Sequence, residues 1–259
     1  MWAKTLVVLS LLAQVVVAAN SSSPYVNPAQ NGGKQLTLQK EPLNVIVSGE
    51  SDAYALTSDG FESFYRAIGF DVGSCAGRSV NDTQRANLGD GNGNVVQAGI
   101  ARWGNGCIES LTGGNHFRYW VQNGTQANTG AIFIAASVEE PIRQNHMIVS
   151  NGYDLGRDWL VGNATQGTRT DNQTGNEFTT SVVANNTSLL RGVSASSLNH
   201  DIGTDGVVSV LRVRVTQRGN GNTQSTSKNA QTGFASYLPG AVTVAGALLA
   251  AFVPVVVAA

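Results

Sequence analysis

The chain has 259 residues, of which 13% are charged and 42% hydrophobic, and its formal net charge is −1. This composition argues against a nucleic-acid-binding protein, which needs a basic surface to neutralise phosphates. It also argues against a disordered chain, because the hydrophobic fraction is enough for the packed core of one domain.

The first segment has the order of a secretory signal. Lys4 gives it a positive start, and the apolar run 5–17 is too short to cross a membrane. Small residues up to Ala19 then precede a polar stretch. We therefore predict a signal peptide over 1–19, with a buried N-terminal helix as the alternative.

A polar linker is predicted over 20–40, and the globular domain over 41–216. The run 43–49 is apolar and β-branched and ends at glycine, which is typical of a buried strand. Thr57 then precedes aromatic residues at helical spacing, and Gly69 follows them. This pattern predicts a helix that Thr57 caps and that ends before Gly69.

The segment 71–94 is rich in Gly, Asn and Asp and is predicted to be a loop. It contains Cys75, and the chain's other cysteine is Cys107. In an oxidising compartment such a pair most often forms a disulfide. Closing a loop of about 30 residues would stabilise the fold by roughly 3 kcal/mol. A free catalytic thiol is the alternative, and no local motif supports it.

The rest of the domain favours strands over helices. Alternating or β-branched runs predict strands, and two of them joined by an Asn/Gly/Thr turn predict a hairpin. The predicted strands are 95–103, 116–121, 130–137 and 207–215, and the predicted short helices are 154–161 and 181–190. We therefore expect one α+β domain with a mixed or antiparallel sheet, few helices, long Gly/Asn-rich loops and one disulfide.

The far end of the chain has the pattern of a cleavable lipid-anchor signal. A polar spacer over 217–236, rich in Ser, Thr, Asn, Gln and Gly, precedes an uncharged, largely apolar tail over 237–259. This order predicts a GPI anchor attached at Asn229, with Ser227 and Gly233 as alternatives. A true C-terminal membrane anchor is the competing interpretation.

Acceptor triplets for N-glycosylation recur along the chain. A secretory signal makes them meaningful, because the chain then meets the glycosylating compartment, and each used site marks exposed backbone. The last two overlap, so we expect at most one of them to be used efficiently. The triplets begin at Asn20, Asn81, Asn123, Asn163, Asn172, Asn185 and Asn186.

The three histidines, His116, His146 and His200, each follow an asparagine. Three imidazoles and a carboxylate can hold zinc, but no short His spacing supports such a site, so we assign no metal ligand and no cofactor. The segment 90–94 begins like a calcium loop, but Val95 stands where that loop needs glycine. A turn is the better interpretation there.

Several short motifs, in order, resemble uncharacterised secreted proteins of filamentous fungi and, more distantly, the LssY C-terminal domain of bacterial membrane proteins. They are the segments 41–49, 66–70, 116–120, 130–137 and 156–158, with His146 before the last. The bacterial domain often accompanies lipid-phosphatase-like membrane segments, so the resemblance implies work at a membrane or on lipid-linked substrates. It also implies a catalytic set whose members are His116, Arg118, His146, Arg157 and Asp158. A buried ion-pair network that fixes the fold is the alternative.

Two functions follow as hypotheses, and whether the protein is an enzyme stays open. The first is a glycoprotein on the extracellular face of the plasma membrane or in the cell wall, with a structural, adhesive or display role. Its partners would be the membrane, through the lipid anchor, and cell-wall glycan, but not nucleic acid. The second is a surface hydrolase that cleaves lipid- or glycan-linked phosphate or ester bonds, with arginine holding the anion and histidine moving the proton.

Overall fold

The computed structural model describes residues 23–71, 74–75, 78–79 and 83–219. The predicted signal peptide and lipid-anchor tail lie outside the described residues, as do most of the spacer, Asn20, Asn81 and Asn229. Among the helices that are described, none is both long enough and apolar enough to cross a membrane.

The described residues form a sheet-rich domain with few helices. The strands are β1 (Val45–Val47), β2 (Phe70–Asp71), β3 (Ser74–Cys75), β4 (Arg78–Ser79), β5 (Arg85–Ala86), β6 (Val95–Val96), β7 (Gly99–Trp103), β8 (Gly114–Asn123), β9 (Asn128–Glu139), β10 (Arg169–Thr170), β11 (Glu177–Asn186) and β12 (Val208–Gln217). The α-helices are α1 (Ser58–Ala67), α2 (Gly106–Thr112) and α3 (Gly152–Ala164). Short 3-10 helices lie at Pro28–Asn31, Ala53–Leu56, Ile142–Gln144, Ala195–Ser197 and Asn199–Asp201.

One eight-stranded sheet organises the domain, in the order β10-β11-β12-β1-β9-β8-β7-β2. Its pairs are antiparallel except for β1 with β12, where Val45 lies beside Ser209 and Val47 beside Leu211. The short β1 therefore lies in the middle of the sheet, between the last strand and the long β8–β9 hairpin. Its three residues are fully buried, which explains why the sequence there is apolar without alternation.

The first face of the sheet carries an aromatic core. Thr57 caps α1 by accepting a hydrogen bond from the backbone N–H of Gly60, as the sequence predicts. Helix α1 then places Phe61 and Tyr65 against Phe117 and Tyr119 of β8, with ring centroids 4.7 to 6.5 Å apart. Edge-to-face pairs of this kind add to the stability that apolar burial supplies.

The second face is apolar over part of its area. Trp120, Phe133 and Ile46 are buried there among smaller aliphatic side chains. The segment 23–40 belongs to the polar linker that is predicted over 20–40. It lies partly against this face. Tyr25 makes an edge contact with Phe133 at 6.2 Å, and Thr37 is buried and pairs with Ala86.

Most predicted elements are confirmed, but the predicted loop 71–94 contains the short strands β3, β4 and β5, and one predicted helix is wrong. The segment 181–190, predicted as a helix, begins in strand β11, which pairs with β12 from Glu177 to Asn186. The pair Val182–Val183 prefers an extended backbone, and β12 offers a long ladder of backbone groups to pair with. Asn186 then ends the strand by accepting from the backbone N–H groups of Ser188 and Leu189.

The predicted disulfide stays a prediction. The side chain of Cys75 lies outside the described part of the structure, although the backbone of its strand, β3, is described. That strand contacts helix α2, which contains Cys107.

Candidate functional site

The second face of the sheet becomes polar where β7, β8 and β9 lie side by side. Strand β8 alternates, so Phe117 and Tyr119 enter the aromatic core while His116 and Arg118 point to the opposite face. The register pairs Arg102 of β7 with His116. Because side chains two residues apart share a face, Glu139 of β9 lies on the same side as Ser137, which pairs with His116.

These strands and their covering segments bury what we name the charged cluster: Glu41, Arg102, Glu109, His116, Arg118 and Glu139. Each of its members is at most 9% exposed. Charged side chains are rarely buried to this extent unless they are paired, so the pairing inside the cluster decides its properties.

Glu139 is the central carboxylate of the charged cluster. Its Oε1 lies 3.3 Å from Nε2 of His116, and its Oε2 lies 3.6 Å from Nη1 of Arg102. Nη1 of Arg102 also donates to Oε2 of Glu109 at 2.6 Å. Glu109 reaches this position from α2, which Asn105 caps by accepting from the backbone N–H of Cys107.

Arg118 links the histidine to the other side of the cluster. Its Nη1 donates to Nε2 of His116 at 3.1 Å and lies 3.5 Å from Oε2 of Glu41. Gln84 donates to the other oxygen of Glu41 at 2.8 Å. Arg118 is therefore held between an acceptor nitrogen and a carboxylate, well inside the domain.

Burial moves the pKa values of the central pair in opposite directions. It raises the pKa of the Glu139 carboxyl to about 7, although Arg102 and Arg118 oppose the rise. Burial and then the charges of Arg118 and Arg102 lower the pKa of the His116 imidazole well below its usual range. The imidazole is therefore neutral at neutral pH, and the carboxyl is close to half-ionised. The Glu139 carboxyl can therefore gain or lose a proton near neutral pH, whereas the His116 imidazole stays neutral there.

His146 lies between the charged cluster and the protein surface. Its Nδ1 lies 3.5 Å from Oε2 of Glu139, and its side chain is 32% exposed. The loop that carries it is held beside β9, because Glu139 forms a bridge with Ile148 and the N–H of Glu140 donates to the carbonyl of Met147. Three of the sequence-predicted residues, His116, Arg118 and His146, thus come together.

Arg157 and Asp158 belong to a different network. Arg157 of α3 binds Asp205 through two hydrogen bonds, of 2.5 and 2.8 Å, and donates to the carbonyl of Val207 at 3.0 Å. It also donates to Asp158 at 2.8 Å. Asp154 completes this network by accepting from Thr204 and from the backbone N–H of Asp205. The network ties the loop before β12 to α3.

The remaining candidates take ordinary positions. His200 is exposed and lies in the 3-10 helix Asn199–Asp201. Asp90 is fully buried and organises a turn, since its carboxylate accepts from Asn92 and from the backbone N–H groups of Asn123 and Gly124. Its oxygens are thus used by hydrogen bonds, which supports the turn rather than a calcium site.

The acceptor asparagines differ in exposure. Asn123, Asn172 and Asn185 are exposed. Asn163 lies within α3 and donates to the carbonyl of Trp159, and Asn186 donates to the hydroxyl of Tyr25.

Sequence reasoning missed Arg102, Glu109 and Glu139, the carboxylates and guanidinium that surround His116. Glu139 could have been found from its position in the sequence. It stands two residues after Ser137, so it faces the same side if the strand predicted over 130–137 continues. Arg102 likewise stands in a strand whose neighbour Ala101 is buried on the opposite face. Glu109 gives no comparable signal, since the helix that carries it is short.

Comparison with known proteins finds no family model, no curated protein and no solved structure that matches this chain. The resemblance described above and the roles that it implies therefore stay predictions.

Proposed function

We propose that this chain is a secreted, N-glycosylated protein held on the outer face of the plasma membrane or in the cell wall by a GPI anchor, with a structural, adhesive or display role. One observation carries the proposal: the charged groups that could perform chemistry lie in the interior, whereas glycosylation acceptors lie on the surface. The charged groups suited to chemistry, such as His116 and Arg118, are buried and paired. Acceptor asparagines such as Asn123, Asn172 and Asn185 lie on the surface.

The exposed surface also suits a display role. Strand β11 is exposed from Ser181 to Asn185, and it presents small polar and aliphatic side chains there. Sugars on Asn185 and Asn172 would be solvated and bulky, so they would shield this end of the sheet from proteases and from self-association.

A surface hydrolase is the second candidate, and the proximity of His116 to Glu139 favours it. The two groups lie 3.3 Å apart, from Nε2 to Oε1, and the Glu139 carboxyl, whose pKa is raised to about 7, can gain or lose a proton near neutral pH. The two candidates differ in activity: a hydrolase cleaves p-nitrophenyl phosphate or acetate, and its Glu139→Gln variant loses that cleavage. A display protein cleaves neither, whether or not Glu139 is changed.

The anchor and the sugars are tested together by expressing the full chain in a eukaryotic secretory host. Phosphatidylinositol-specific phospholipase C is expected to release the protein from intact cells, and peptide-N-glycosidase to lower its apparent mass. Asn229→Gln should weaken anchoring, whereas Asn222→Gln, in the same spacer, is the matched control. Retention of the wild-type chain after phospholipase treatment, or an unchanged mass after deglycosylation, would contradict the proposal.

A further inference from the structure

We propose that Glu109, His116 and Glu139, with His146 as a fourth ligand, form a binding site for a divalent transition-metal ion of the zinc class. The inference does not depend on the proposed surface role. Each of the first three residues offers one ligand atom, and these atoms all lie within 4.8 Å of one another. They come from α2, β8 and β9, so the fold alone brings them together.

Each of the four residues has one polar atom that lacks a hydrogen-bond partner among the described residues. These atoms are Oε1 of Glu109, Nδ1 of His116, Oε2 of Glu139 and Nδ1 of His146. Buried polar atoms in folded proteins are nearly always partnered. Nε of Arg102 and Oγ of Ser137 are unpartnered here as well. The four atoms above, however, are of the kind that binds a cation and lie on neighbouring side chains, which points to a shared ligand for them.

The distance between Glu139 and His146 matches the distance between two ligand atoms that bind the same metal ion. Oε2 and Nδ1 lie 3.5 Å apart, and neither takes part in a hydrogen bond within the described structure. Ligand atoms that bind one zinc ion in tetrahedral geometry lie about 3.3–3.6 Å apart, given the usual zinc–nitrogen and zinc–oxygen lengths.

The charge of the cluster also suits a cation. Three carboxylates, those of Glu41, Glu109 and Glu139, face the two guanidinium groups of Arg102 and Arg118. When the three carboxylates are ionised, one negative charge remains that the guanidinium groups do not neutralise. Arg102 occupies only Oε2 of Glu109, which leaves Oε1 for an ion.

The donor set indicates the class of metal. Imidazole nitrogen and carboxylate oxygen together suit zinc and its neighbours in the first transition row, whereas magnesium and calcium prefer oxygen ligands alone. The partial exposure of His146, at 32%, gives an ion a route from solvent to the buried ligands.

Zinc titration of the untagged, full-length protein tests the site. After treatment with EDTA and dialysis, isothermal titration calorimetry with zinc chloride is expected to show one equivalent bound, and magnesium chloride none. His146→Gln should weaken zinc binding by at least about tenfold. Glu139→Gln should abolish it. The matched controls are His200→Gln and Glu140→Gln, which should bind as the wild type does.

Folding of each variant is checked by circular dichroism, because Glu139 is buried. His146 is partly exposed, so the His146→Gln variant is expected to fold. It therefore tests the site even if Glu139→Gln does not fold. A rise in the melting temperature of the wild type with zinc but not magnesium is the second expected result. The proposal is overturned if the EDTA-treated wild type takes up no zinc, or if His146→Gln binds zinc as tightly as the wild type.

Discussion

The imidazole of His116 and the carboxyl of Glu139 lie 3.3 Å apart, from Nε2 to Oε1, on neighbouring strands of one sheet. Both are buried, and burial favours the neutral form of each. Because the neutral carboxyl is protonated and the neutral imidazole is not, the same environment gives these two groups opposite dependences on pH.

The first prediction concerns the pH dependence of stability in metal-free protein. The folded-state pKa of Glu139, about 7, lies above its ordinary value of 4.5. Its contribution to the free energy of unfolding is therefore lost as pH rises from about 4.5 to about 7, by up to about 3 kcal/mol. For His116 the folded-state pKa is lowered, so its contribution is lost as pH falls below 6.5.

Urea unfolding between pH 5 and 8, in the presence of EDTA, separates the two contributions. Relative to the wild type, Glu139→Gln should gain stability towards pH 8, and His116→Gln should gain it towards pH 5. Glu140→Gln is the control and should follow the wild type at every pH. Parallel curves for all four proteins would show that the pair does not titrate as described.

The second prediction concerns the network on α3. Arg157→Ala should lower the free energy of unfolding by about 3 kcal/mol, since it leaves the buried carboxylate of Asp154 without its guanidinium partner. Asp158→Asn should change it by less than about 0.5 kcal/mol, because the Asp158 side chain is 65% exposed. Thermal unfolding checks both variants. Equal losses would mean that Asp158 has a role beyond its surface ion pair.

The third prediction concerns the packing of α3 on β9. A Cβ at Gly156 would lie 2.5 Å from backbone atoms of Ser137, whereas a Cβ at Gly162 of the same helix meets nothing within 4 Å. Gly156→Ala should therefore cost about 3 kcal/mol or more, through displacement of the helix. Gly162→Ala should gain about 0.5–1 kcal/mol, because alanine is the better helix former. Chemical denaturation of the two variants gives the comparison, and a tolerated Gly156→Ala would contradict the observed contact.

The fourth prediction concerns the use of glycosylation sites when the chain is expressed in a eukaryotic secretory host. Asn123, Asn172 and Asn185 are exposed, so we expect sugar on these three. Asn186 uses its amide nitrogen to bind Tyr25 and its oxygen to accept from Ser188, so we expect Asn185 to be the used member of the overlapping pair. Mass spectrometry of peptides after deglycosylation in heavy-oxygen water identifies the used sites. Sugar on Asn186 instead of Asn185 would be the contrary result.

The sequence predicted the parts of the fold in which local pattern and tertiary packing agree. Thr57 and the aromatic residues after it specify α1, and the alternation in 116–121 specifies β8. The segment 181–190 was predicted wrongly, because its strand forms by pairing with β12, a partner more than twenty residues away. Pairing between distant strands leaves no local periodicity when both faces of the paired strand are exposed.

The candidate site was predictable only in part, for a similar reason. His116 and Arg118 stand out as polar residues within an aromatic strand. Glu109 and Glu139, which surround His116, are ordinary charged residues in their local sequence. The pairing register of β7, β8 and β9 places these residues next to His116. That register depends on how the strands of the whole sheet pair, so it cannot be read from one segment of the sequence.

The central position of β1 has a mechanical consequence. Strand β1 begins near the start of the described domain and runs parallel to β12, which lies near its end. A pulling force applied between the two ends of the domain would therefore act along these two strands in opposite directions. It would load their backbone hydrogen bonds together, in shear, instead of opening them one at a time. A protein tethered through its C-terminal side and pulled from its N-terminal side would thus bear tension across the fully buried strand β1 in the middle of its sheet.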